Sequence, residues 1–197
     1  MRLASLRHVG AIMLLTSVLA GCGATKQSRT AVPSKSIAAP TPTPTATASS
    51  TADSSAEQQA KGQTLGAYFG LMGIWQVALE NPDYRPIDLS QHATDQALTY
   101  VTNDIQRSRR EGIITKGKLL ISPAVTVLDL SANPPVAQVD DCADTTNFLD
   151  FRASDGSPMG ARGGTPGGLQ HFLARVREDR GVWRIYDLHI YTVGSCR

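Results

Sequence analysis

Cysteine is scarce in this 197-residue chain, with one residue each at positions 22, 142 and 196. No third or fourth ligand of suitable type clusters with any of them, which excludes a structural zinc site. An excess of one charge is lacking too. Nineteen Lys and Arg against 17 Asp and Glu leave a formal charge of +2, and nothing resembles the basic field that draws nucleic acid. The longest apolar run, "VGAIMLLTSVLAG", falls well short of the about 20 residues needed to span a bilayer. Signature loops are missing as well. "DGSPMGARGGTPGG" lacks the Gly-Lys-Ser/Thr ending of a phosphate-binding loop and opens no helix. Gly156-Ser157-Pro158 is not the Gly-x-Ser-x-Gly elbow of an esterase. Asp141, Asp144 and Asp150 lack calcium-loop spacing. There is no internal repeat, and no metal or cofactor is expected.

What is present begins with an address. Arg2, Arg7 and His8 precede the apolar run, whose length is that of a signal-peptide core. The run closes on Leu19-Ala20-Gly21-Cys22, which resembles the bacterial lipoprotein lipobox, where the thiol is lipidated and becomes the mature N-terminus. The resemblance implies a leader over 1–21, lipid on Cys22, and residence on the outer face of the cytoplasmic membrane. An ordinary secretory signal with Cys22 incidental is the alternative. One acyl chain holds only marginally, while the several chains of a lipoprotein anchor stably, since each buried methylene adds about 0.8 kcal/mol. Loss of Arg2 and Arg7 with the leader takes the formal charge from +2 to zero.

Residues 22–57 follow as a tract of Ser, Thr, Ala and Pro, with "PTPTPTAT" at its centre. Too little apolar surface is available there to offset ordering entropy, so a disordered linker is predicted. Such a spacer extends about 3 Å per residue where stiff. Its composition fits an O-glycosylated stalk and an unmodified linker equally.

Residues 58–197 suffice for one domain with one core. "AKGQTLGAYFGLMGIWQVALENPDY" places Leu65, Tyr68, Phe69, Met72, Trp75 and Leu79 at helical spacing before the Asn81-Pro82 stop. Pro86 to Leu89 reads as a short helical turn. A second helix carries Ala97, Leu98, Val101 and Ile105 on one stripe, with Gly112 as its C-cap. Arg107, Arg109 and Arg110 near its end complement the helix dipole, a reading preferred here over a phosphate-binding patch. Beyond Gly112 the pattern alternates, and five strands are predicted in "KLLISPAVTVLDL", "VAQVDDCA", "TNFLDFRA", "LQHFLARVRE" and "VWRIYDLHIYTV". Helices followed by an antiparallel meander define an α+β fold.

The order of elements, with "GVWRIYDLHIY" as a late strand, resembles the nuclear transport factor 2-like cone. "VAQVDDCAD" and a cysteine after the last strand are similar to small secreted lipoproteins of actinobacteria that carry this fold. The resemblance covers roughly residues 60 to 197 and implies helices packed on a curved antiparallel sheet. A cystatin-like sheet satisfies the same pattern. With Cys22 consumed by lipid, Cys142 and Cys196 are an even pair in an oxidising compartment and are expected to bond. Closing the loop between them stabilises by about 4 kcal/mol on the chain-entropy account.

Two functional classes remain. In the first, the domain is a non-catalytic envelope module that binds a small apolar ligand or docks a partner protein, with Tyr68, Trp75 and Tyr100 lining or filling the cone. In the second, it is an extracytoplasmic enzyme acting on a small hydrophobic substrate. Asp187 and His189, two apart on one strand face, would then act as an acid-base pair. Orientation discriminates: a converging pair inside a pocket favours the enzyme, a solvent-facing pair the module. No residue carries a catalytic pattern, and the first class is preferred.

The mature chain is expected to show no titratable thiol under non-reducing, denaturing conditions and two after reduction. Thiol labelling with mass readout checks this, and free thiols before reduction would refute both cysteine assignments.

Overall fold

The computed structural model describes residues 49–85, 88–161 and 167–196. Cys22, the leader, the linker through residue 48, Pro86, Ile87 and part of the glycine-rich loop lie outside them. Within the described residues the chain is α+β: two long helices, a four-stranded antiparallel sheet and a three-stranded antiparallel sheet.

Helix α1 runs Ser49–Glu80, starting nine residues before the expected boundary at 58. The Ala, Glu and Gln content of residues 56–60 suits a helix, and residues 54–59 are exposed. Burial begins at Ala60 and recurs at Thr64, Ala67, Tyr68, Leu71, Met72, Trp75, Ala78 and Leu79, a stripe of three- and four-residue steps. Phe69 sits one position off that stripe and is 49% exposed. It therefore does not fill the interior as expected, and only its edge meets Tyr68. The helix ends where Asn81 accepts the Asp83 N–H in a turn at 2.9 Å.

A single 3₁₀ turn, Leu89–Gln91, leads into helix α2, Asp95–Glu111. Ala97, Val101 and Ile105 are buried as predicted, with Leu98 partly so. Gly112 adopts the left-handed conformation at φ 64°, and its N–H caps α2 through the Ser108 and Arg109 carbonyls. Gly70 is a second required glycine, since a β-carbon there would lie 2.3 Å from the His92 ring.

Seven strands follow rather than five: β1 Ile113–Lys116, β2 Ala124–Asp129, β3 Val136–Asp144, β4 Leu149–Arg152, β5 Pro158–Ala161, β6 Leu169–Asp179 and β7 Val182–Val193. They form two sheets, ordered β2-β3-β6-β7 and β1-β4-β5, instead of one meander. The Leu120–Asp144 bridge links the end of β3 to the segment between β1 and β2. Pro123, which has no N–H to give a ladder, precedes β2. The expected strand "KLLISPAVTVLDL" is thereby cut to its second half. β1 and β5 have four residues each, too few for alternation to register, and Pro158 opens an edge strand where a missing N–H is tolerated.

The inner face of the larger sheet carries Ala137, Val139 and Ala143 from β3 and Phe172, Ala174 and Val176 from β6. β7 does not keep one parity. Its register slips opposite Arg175 and Val176, so Trp183 and Ile185 are buried before the slip and Leu188 after it. The apolar face expected from strict alternation, Val182, Tyr186, Leu188 and Ile190, is therefore split, and Val182 is 41% exposed. Residues 92–94 pair with β7 through Ile185. Beyond them the Gln96 side chain gives and takes hydrogen bonds with Leu188 at 3.2 and 2.8 Å. These contacts cover part of an edge that would otherwise invite strand pairing.

Trp75 is 4% exposed in the interior formed by both helices and the sheet. Trp75→Ala should cost about 3 to 5 kcal/mol in urea unfolding monitored by circular dichroism. A loss below about 1 kcal/mol, as at surface positions, would contradict this packing.

Candidate functional site

Three carboxyl groups are buried inside the domain, and each meets a donor from another element. On the inner face of β3, Asp141 accepts the Tyr68 hydroxyl proton at 2.8 Å and the Ser122 N–H at 2.8 Å. Burial, then the Asp141 charge and this hydrogen bond, push the Tyr68 pKa far above its ordinary value. The phenol stays protonated and donating. Asp104 of α2 accepts the Trp75 indole N–H at 2.9 Å and Arg107 at 2.6 Å. Asp150 of β4 accepts the Thr115 hydroxyl at 2.6 Å. Tyr68 and Trp75 thus bind the helices to the sheet and to each other. Tyr100 stands at the margin, 37% exposed, its ring edge-on to Trp75 at 6.1 Å.

Asp187 and His189 lie on the other side of the larger sheet, and the structure does not bring them together with Tyr68, Trp75 or Tyr100. Asp187 accepts from Arg175 at 3.0 Å and from the His189 Nε2–H at 3.1 Å. The His189 side chain is 51% exposed. A second acid-imidazole pair occupies the same face: His171 Nε2–H donates to Asp140 at 2.7 Å. Gln138 at 2.8 Å and the Thr126 hydroxyl donate to the other Asp140 oxygen. Burial pulls the Asp140 pKa up, but the bonds from Thr126, Gln138 and His171, with the His171 charge, hold it below the usual range. The His171 ring stacks on Tyr191 at 5.0 Å, and Tyr191 in turn lies 6.5 Å from His189. A polar and aromatic band therefore crosses β3, β6 and β7.

The acidic residues flanking Cys142 divide by strand parity. Asp140 points out, Asp141 points in, and Asp144 turns to the Thr146 N–H at 2.8 Å. Cys142 itself is joined to Cys196 with Cα atoms 5.7 Å apart. Beside the bridge, Ser195 Oγ accepts the His171 N–H at 2.9 Å, and Asp140, His171, Ser195 and Cys196 line a shallow cleft of about 370 Å³. Disulfides of this kind persist in oxidising compartments. Among the described residues no helix is long and apolar enough to cross a membrane, and no group of three metal-ligating side chains converges.

Catalysis by either acid-imidazole pair needs a reacting atom held between the pair and a stabilising group. The Asp187–His189 pair lies on a sheet face with its acid shared with an arginine, and in the cleft pair the His171 Nε2 is spent on Asp140, whose other oxygen is taken by Thr126 and Gln138. The sequence reading missed the Asp140–His171 pair, whose members are 31 positions apart. Only the β3–β6 register, which sets Cys142 opposite His171, exposes it.

No family model matches the chain, and no curated protein matches it. Among solved structures, the intermembrane space region of the chloroplast protein ARC6 is similar at a TM-score of 0.42 and 16% identity, over 64% of this chain and 94% of that one.

Asp140 titrates below its unfolded value, so its bonds stabilise the fold above about pH 4 and are lost as pH falls through the depressed value. Asp140→Asn should therefore lower the thermal midpoint at pH 7 and flatten its decline toward pH 3. Parallel midpoint curves for the two proteins would contradict the role given to this carboxylate.

Proposed function

We propose that the chain is an exported, lipid-anchored binding or interaction module that performs no chemistry of its own. The observation that carries this reading is the placement of its polar groups. Tyr68 and Trp75 are spent on buried carboxylates in the core, while Asp187 and His189 face outward, with Asp187 held by Arg175. Substrate would need a concave site with convergent polar groups, and the pair named for the enzyme reading, Asp187 and His189, lies on the outer sheet face away from Tyr68 and Trp75.

The finer architecture belongs to the same proposal. Two helices on a curled antiparallel sheet agree with a cone of the nuclear transport factor 2-like kind, here with its interior occupied by side chains. The lipobox ending at Cys22 supports attachment to the outer face of the cytoplasmic membrane, and the Cys142–Cys196 bridge is compatible with export. The partners of this reading are the bilayer, through Cys22, and an envelope protein or small apolar ligand. Nucleic acid is not among them, because the chain lacks a basic surplus once its leader is removed.

Fractionation tests the reading. The native chain should sediment with membranes, resist salt washing and dissolve in detergent, while Cys22→Ser should enter the medium or accumulate as the unprocessed precursor. Normal maturation and membrane retention of Cys22→Ser would overturn the anchor. Turnover of a small hydrophobic substrate that is lost in Asp187→Asn or His189→Ala would overturn the non-catalytic assignment.

A further inference from the structure

A second cleft, of about 370 Å³, lies between α2 and the segment that follows α1. Leu89, Leu98 and Ile105 supply its apolar lining beside the polar Thr102 and Gln106, and Arg85 and Arg109 line it too. The two guanidinium groups converge on one neutral acceptor. Arg85 donates to the Tyr84 carbonyl at 3.4 Å and to the Pro82 carbonyl at 2.8 Å, and Arg109 donates to the same Tyr84 carbonyl.

Neither arginine forms an ion pair among the described residues, whereas Arg107, Arg175 and Arg177 each pair with a carboxylate. Arg109 Nε is buried and has no hydrogen-bond partner there. An unmet donor on a cation is costly to bury. Burial and then the Arg85 charge lower the proton affinity of Arg109, with Asp83 opposing them, so the two cations repel across the cleft. The helix dipole does not account for this placement. Gly112 already caps the Ser108 and Arg109 carbonyls, and the Arg109 guanidinium turns to Tyr84 instead.

An anion in the cleft would relieve the repulsion, and the fork of a guanidinium suits a carboxylate or phosphate. We propose that this cleft binds a small amphiphilic oxyanion. Its carboxylate or phosphate head lies between Arg85 and Arg109, and its short apolar chain lies over Leu89, Leu98 and Ile105. The assignment supplies the non-catalytic binding reading with a site, and it holds whether or not the chain is lipid-anchored.

Calorimetric titration of the full chain in detergent, with butyl phosphate, valerate, inorganic phosphate and butanol, tests it. Butyl phosphate or valerate should bind saturably at one site, with affinity falling as salt rises. The whole probe should bind at least about tenfold tighter than inorganic phosphate, since each buried methylene is worth about fourfold. The tighter of the two names the headgroup. Arg85→Gln, at an exposed position, and Arg109→Gln should each weaken binding by about fivefold or more, the size of a partly exposed charge-assisted contact. Arg110→Gln, exposed and outside the cleft, should leave it unchanged. Absence of saturable binding, equal affinity for butanol, or full affinity in both Arg85→Gln and Arg109→Gln would overturn the site. Because Arg85 is on the surface, its variant keeps the test decisive even where Arg109→Gln unfolds. Membrane fractionation and turnover are read separately, so this site and the binding-module reading can fail independently.

Discussion

Asp141 is a carboxylate held at 2% exposure on the inner face of a sheet, and satisfying it constrains most of the domain. Removing such a group from water costs several kcal/mol unless hydrogen bonds replace its hydration. Tyr68 and the Ser122 N–H provide them, which ties α1, β3 and the segment before β2 to a single point. Sliding α1 by one turn would carry Tyr68 away and leave the charge unmet. Slipping β3 by one residue would turn Asp141 outward and Cys142 inward, separating Cys142 from Cys196. The Trp75–Asp104 bond applies the same constraint between the helices. Apolar packing alone tolerates many arrangements of similar volume; these two polar contacts single out one.

What could be read from the sequence was local and periodic. The α1 stripe from Tyr68 to Leu79, the α2 stripe and the Gly112 cap each depend on residues within a few turns of one another, and all are in place. What could not be read depends on register between distant segments. The slip in β7 lies in its pairing with β6, so strict alternation along β7 does not yield the buried set Trp183, Ile185 and Leu188. Phe69 looked like core because it is aromatic, yet it lies one residue off the buried stripe. The start of α1 was placed late because Ala and Ser, read as linker, continue a helix readily once its C-terminal part is fixed by packing. β1 and β5 are too short for periodicity, and only pairing with β4 defines them.

The same distinction governs the candidate sites. Asp187 and His189 were legible as a pair because they are two residues apart, and proximity in sequence proved no guide to a shared cavity with Tyr68. Asp140 with His171, and Arg85 with Arg109, are joined only by the fold. The chain's polar residues consequently separate into two kinds. The buried carboxylates Asp104, Asp141 and Asp150 are each bonded to a donor from another element and act on structure, while Asp140 and Asp187 on the outer face pair with imidazoles.

The bridge between Cys142 and Cys196 has a mechanical side. β7 is an edge strand whose ladder partner is β6, and an edge strand pulled at its end unzips one hydrogen bond at a time. Cys196 lies just beyond β7 and is bolted to β3, on the far side of β6. Tension applied at that end therefore passes directly to an inner strand, and the β6–β7 bonds between the two attachment points bear almost none of it. The same bolt blocks exchange of β7 between neighbouring copies, because the strand cannot leave without the bridge being reduced.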